Sequence, residues 1–207
     1  MVSAASPSPV SSTPSDAAEH RRRLLDAMAA VVARKGYADA TIADLAAEAR
    51  VSRRTFYEHF QTKAQCLIAL YEAASGQALR VLKEAIDPAR DWHAQLGDAL
   101  RAYLGTLASN PVLLSTLFIA ILGLGAEGLA ARRRANEQIA AFILRVVNAS
   151  EPSTPRALSA PLAMAIVGGI NELILAAIER GEAGDLDRIT PTAAAFARAV
   201  IDGAERA

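Results

Sequence analysis

The sequence predicts an all-α chain of about nine helices, a short three-helix unit followed by a larger helical one. Three observations carry this. Alanine, the strongest helix former, is very abundant in a chain that is 52% hydrophobic, 21% charged and only 5% aromatic. Apolar residues recur at i, i+3, i+4 and i+7 in one segment after another. No run alternates with the period of two that a half-buried strand requires.

Residues 1–15 contain Ser, Pro and Ala with no charge, and read as a disordered arm. A first helix is expected over about Asp16–Lys35, on Leu24, Leu25, Met28, Val31 and Val32, with Gly36 closing it. Thr41 opens a second, close to a capping box with Asp44. Arg50-Val51-Ser52 makes a tight turn, and Ser52 caps a third helix to about His59. A long helix from Lys63 to about Ile86 stops at Asp87-Pro88. Further helices are expected over about Asp91–Ala108, Val112–Gly123, Glu127–Ala149, Ala157–Arg180 and Pro191–Glu205.

The segment Thr41–Lys63, TIADLAAEARVSRRTFYEHFQTK, carries the functional signal. It places two short helices around a tight turn. Ala46 and Ala49 are small enough for a close crossing. Ile42, Leu45, Val51, Phe56 and Phe60 face a shared core, which leaves Ser52, Arg53, Arg54, Thr55, Tyr57 and His59 outside. That is a dense set of phosphate and base-edge donors on one short element, the layout of a recognition helix in a major groove.

In these residues the chain resembles the tetracycline-repressor (TetR) family of bacterial regulators. The resemblance covers roughly Leu24 to Tyr71. It is strongest in VSRRTFYEHFQTK and in the preceding Thr-Ile-x-x-Leu-Ala block. It implies a helix-turn-helix DNA-binding domain at 16–62 and a helical ligand-binding and dimerisation domain at 63–207. The turn position often held by glycine is Arg50, which is either tolerated at positive φ or adds a phosphate contact. Arg53 and Arg54 are expected to read guanine, whose O6 and N7 fit the guanidinium fork. Ser52 and Thr55 suit a base or a phosphate, and Thr41, Tyr57, His59 and Lys63 suit phosphates. Arg21, Arg22 and Arg23 either approach the DNA backbone or form a solvated face.

One recognition helix covers few base pairs, so a homodimer on a palindromic operator is expected. Leu158, Leu162, Ile166, Gly169 and Leu173 form one stripe, and Ala193, Ala197, Val200 and Ala204 another. The resemblance implies that these helices pair across a two-fold axis. It also implies an unknown small-molecule effector, apolar or amphipathic, among the middle helices. Leu104, Phe118, Phe142, Met164, Asn171 and Glu172 are the expected lining. The expected function is a ligand-responsive repressor; a ligand-independent architectural DNA-binding protein, or a helical enzyme or carrier, are the alternatives.

Net charge is zero, but Asp16–Lys63 carries a small basic excess, and phosphate binding follows local potential. A lone thiol, Cys66, suits a reducing cytoplasm. The apolar stretches Val112–Ala126 and Ala157–Ile178 read as core helices rather than membrane spans: the first is short and Asn171 and Glu172 interrupt the second. His20, His59 and His93 lack metal-site spacing, and there is no phosphate loop or nucleophile elbow. Neither an enzyme nor a metal or other cofactor is expected.

Overall fold

A computed structural model of the chain describes residues 14–87, 90–150 and 158–206. Among the described residues are nine α-helices and no strand. They are α1 (Pro14–Asp39), α2 (Ile42–Glu48), α3 (Arg53–His59), α4 (Lys63–Glu84), α5 (Trp92–Ala108), α6 (Pro111–Ala120), α7 (Gly125–Ser150), α8 (Ala160–Glu179) and α9 (Thr190–Arg206). The chain divides into two compact units, Met1–Cys66 and Leu67–Ala207, and the division falls inside α4. Most of the expected arm lies outside the described residues; Pro14 and Ser15 already belong to α1.

In the first unit α1, α2 and α3 pack on one another. Their apolar stripes converge on a core in which Leu24, Met28, Val31, Leu45, Phe56 and Cys66 are fully enclosed. Gly36, at φ 78° and ψ 162°, interrupts α1 where the sequence places its end. A capping box starts α2: Thr41 Oγ1 accepts from the Asp44 amide at 3.2 Å, and the Thr41 amide donates to Asp44 Oδ2 at 2.8 Å. Lys35 pairs with Asp44 at 2.8 Å and Arg34 with Glu48 at 2.8 Å, tying the end of α1 to α2.

In the second unit α8 packs against α7 and α9, and α9 against α5. α8 is long and apolar enough to cross a bilayer by composition; Ala163, Ile166, Val167, Ile170, Ile174 and Ala177 on it are buried in this unit's core. Two boundaries differ from the sequence reading. α6 stops at Ala120, and a 3₁₀ turn over Leu122–Leu124 leads to Gly125 at φ 62°. A second 3₁₀ turn, Leu186–Ile189, precedes α9. Its buried Leu186 and Ile189 anchor a segment that composition alone marks as loop. α8 begins at Ala160, and Asn148 holds the approach by accepting from the Leu158 amide at 3.0 Å and donating to its carbonyl at 3.2 Å.

Candidate nucleic-acid interface and helical cavities

The turn between α2 and α3 is built from the backbone outward. Arg50 has φ 53°, the left-handed conformation. The Arg50 amide donates to Ala47 O at 3.1 Å and the Val51 amide to Ala46 O at 2.9 Å. This is the Schellman closure that normally takes glycine. Arg23 reaches from α1 to donate to the carbonyls of Ala49 and Arg50, the latter at 2.8 Å. A guanidinium on two carbonyls, at a helix end whose dipole is negative, holds the turn closed.

Ser52 caps α3, accepting from the Thr55 amide at 2.9 Å, and the two hydroxyls sit 2.9 Å apart. Phe56 is fully buried and Phe60 is 5% exposed, which fixes the rotation of this short helix. The opposite face carries Arg53, Arg54 and Tyr57. The Arg54 side chain is 83% exposed and pairs with Glu58, one turn on, at 3.2 Å. Tyr57 is 56% exposed, an unusual position for a large ring. His59 is half-buried with its ring 6.3 Å from that of His20. Burial, then the charge of His20, lower its pKa.

Two of the expected phosphate donors are engaged within the chain. Lys63 donates to the carbonyls of Tyr37 (2.8 Å), Ala38 (3.2 Å) and Ala40 (2.8 Å), so all three of its donors are occupied. Thr41 commits its hydroxyl to Asp44 Oδ2 at 2.6 Å and its amide to the same atom. Lys35 and these Thr41 donors hold the Asp44 carboxyl well below the usual carboxylate range. Of the α1 arginines, Arg22 pairs with Glu19 and Asp26, Arg21 lies over the Phe60 ring, and Arg23 secures the turn. The role of Arg23 was missed because it depends on a contact 26 residues away.

Two cavities among the helices of the second unit share part of their lining. One, about 70 Å³, is walled by apolar groups such as Leu82, Leu100, Phe142, Val146 and Ile166. The other, about 240 Å³, includes Tyr71, Ser75, Thr106, Asn110, Phe118 and Asn136. Tyr103, Ile139 and Asn171 line both. Of the expected lining, Phe118, Phe142 and Asn171 are there. Leu104, Met164 and Glu172 are not: Leu104 is wholly enclosed in the core, Met164 packs against that core, and Glu172 is exposed.

The expected dimer stripes also need correction. Leu158, Ile166, Ala193 and Ala197 are buried within this chain's own core; on α8, which is apolar nearly all round, helical spacing cannot distinguish the two sides. Leu162, Gly169, Leu173 and Val200 keep partial or full exposure. Beside them on the outer face of α8 stand Ala165 and Gly168, both exposed, and on α9 Ala195 and Ala199. The Phe196 ring lies across Gly169, where a Cβ would come within 2.5 Å of it.

Residues 24–70 match the model of the bacterial regulatory proteins of the tetR family. No curated protein matches the chain in sequence. Several solved structures share the fold. The transcriptional regulator FadR from Bacillus subtilis, in complex with stearoyl-CoA, superposes with a TM-score of 0.74 at 19% identity, covering 88% of this chain and 98% of that one. A TetR transcription regulator from Haloarcula marismortui superposes at 0.72 and 19% identity, covering 90% and 98%. The multidrug binding protein EbrR, complexed with imidazole, does so at 0.66 and 23% identity, covering 88% and 94%.

Proposed function

Residues 24–70 belong to the tetR family of bacterial regulatory proteins, and from that premise we propose that the chain is a homodimeric, effector-released repressor of transcription. The observation that carries this is the outward face of α3. Arg53, Arg54 and Tyr57 are exposed on a helix whose other side is fixed by buried Phe56, with Ser52 at its N-terminus. Arg53 and Arg54 read base edges, while Ser52, Thr55, Tyr57, Arg50 and His59 set register on the phosphates. Lys63 and Thr41 support the scaffold.

Two such helices, about 34–36 Å apart, meet successive major grooves on one face of the duplex. The outer face of α8 and α9 supports the pairing. Leu162, Ala165, Gly168 and Ala199 are exposed, and small residues permit close helix approach. The effector site is the pair of cavities in the second unit, in keeping with the stearoyl-CoA bound by the FadR protein and the imidazole bound by EbrR. An effector lowers operator affinity only if it binds better to a form whose head spacing misfits the DNA.

Fluorescence anisotropy with duplexes from upstream of the chain's own gene tests the reading. The expected result is tight binding to one palindrome, steep salt dependence and release by an amphipathic small molecule. Broad, sequence-independent binding unaffected by any effector would indicate an architectural DNA-binding protein, and absence of binding would overturn the regulator altogether.

A further inference from the structure

Two cavities of the second unit, one almost wholly apolar and one of mixed lining, share Tyr103, Ile139 and Asn171. Asn171, 8% exposed, donates from Nδ2 to Oδ1 of Asn136, 9% exposed, at 3.1 Å. Asn171 lines both cavities and Asn136 the larger one. That single bond leaves Asn171 with its carbonyl oxygen and one N–H, and Asn136 with two N–H groups, unmatched among the described residues. Tyr103 lines both cavities as well, is 8% exposed, and its hydroxyl has no hydrogen-bond partner among the described residues. Burial raises its pKa, so it remains a neutral donor.

Buried polar groups in native proteins are matched almost without exception. Asn136, Asn171 and Tyr103 face a cavity and keep hydrogen-bonding capacity unused among the described residues, which suits a guest able to accept and donate hydrogen bonds. The walls also define what the guest lacks. Among the described residues, no Lys, Arg, His, Asp or Glu lines either cavity. A charged group enclosed there would lose its hydration with no charged side chain lining the wall to offset the loss. The small cavity is almost wholly apolar apart from Tyr103 and Asn171, and suits hydrocarbon.

Resting on the effector-site reading above, we propose that Asn136, Asn171 and Tyr103 form a neutral reading point that selects an uncharged amphiphile. The guest's carbonyl or hydroxyl is held by the amide pair and the phenol, and its alkyl or aryl tail fills the apolar cavity. Any charged portion of a larger effector lies outside these walls.

Calorimetric titration of the full-length protein at pH 8 tests this with three probes of similar size: butyrophenone, butylbenzene and phenylbutanoate. The ketone is expected to bind at least about tenfold more tightly than the carboxylate. In Asn136→Leu/Asn171→Leu, where both partners are replaced so that no amide is left unmatched, the preference for ketone over hydrocarbon is expected to fall about tenfold. Tyr103→Phe, which removes one oxygen, is expected to lower the same preference severalfold and serves if the double variant fails to fold. Equal binding of ketone and carboxylate, or an unchanged ketone-to-hydrocarbon ratio in the variants, overturns the reading point while leaving the cavities as an effector site. Failure of all three probes to bind overturns the effector site itself.

Discussion

Lys63 and Tyr37 close the first unit on itself: the Lys63 ammonium lies 4.3 Å from the centre of the Tyr37 ring and donates to the Tyr37 carbonyl at 2.8 Å. With two further carbonyls on the same ammonium, the first residue of α4 holds the segment after the Gly36 kink. Charge-assisted bonds and a cation over a ring combine at one half-buried atom.

Lys63→Met is accordingly expected to lower the stability of the first unit by about 1–2 kcal/mol, measured by denaturant unfolding. The slope of operator affinity against salt should change by much less than one unit. A slope lower by a full unit with stability intact would return Lys63 to the phosphate contacts.

Arg54→Ala is expected to cost about 1–3 kcal/mol of operator binding and to relax preference at particular base pairs. Glu58→Ala removes the ion partner of Arg54 and should leave binding unchanged or stronger by about 0.3–0.5 kcal/mol. Uniform loss over all sequences in Arg54→Ala would make that residue a backbone contact.

At Gly168 a side chain meets nothing in the chain within 4 Å. Gly168→Arg should therefore fold normally and, if the proposed dimer pairs through the outer face of α8, yield a monomer by sedimentation. Gly169→Ala should behave differently, costing about 1–3 kcal/mol of stability as Phe196 is displaced. A Gly168→Arg dimer as tight as the wild type would place the pairing surface elsewhere.

Arg50→Gly removes a side chain from the left-handed region without touching the backbone bonds of the turn or the carbonyls that Arg23 holds. It should stabilise the chain by about 0.5–1 kcal/mol, seen as a higher melting temperature. A lower one would show that the Arg50 side chain itself supports the turn.

The pKa of His59 is lowered by burial and by His20 from the ordinary value of 6.5. Between the folded and unfolded values the unfolded chain binds more protons, so stability rises with pH there. The contribution is complete above about pH 6.5 and declines as pH falls below it. His59→Gln should flatten the unfolding free energy across pH 5–7 (a window set by that ordinary value); an identical slope would show that His59 does not titrate in this range.

The first unit was largely legible in the sequence because its signals are local. Thr41, Ser52 and Gly36 act on residues within a turn of themselves, and the spacing of Phe56 and Phe60 fixes which side of α3 is buried. Arg23 and Lys63 escaped because each acts on carbonyls more than twenty residues away. In the second unit, periodicity located the helices but not their orientation. α8 is so apolar that Ile166, inside, and Leu162, outside, look equivalent in sequence, and the cavities depend on which helices are adjacent. Asn171 was noticed as a polar interruption; its partner Asn136 sits in a polar helix stretch where nothing distinguishes it.

Cys66, the chain's one thiol, is fully enclosed, with its Sγ 3.8 Å from the Leu24 carbonyl and its pKa pushed up to about 12 by burial. A thiolate is needed for alkylation, so the folded molecule is silent to iodoacetamide and reacts only while this region is open. Its labelling rate is therefore an intrinsic clock for transient opening of the DNA-reading end, available without introducing any probe.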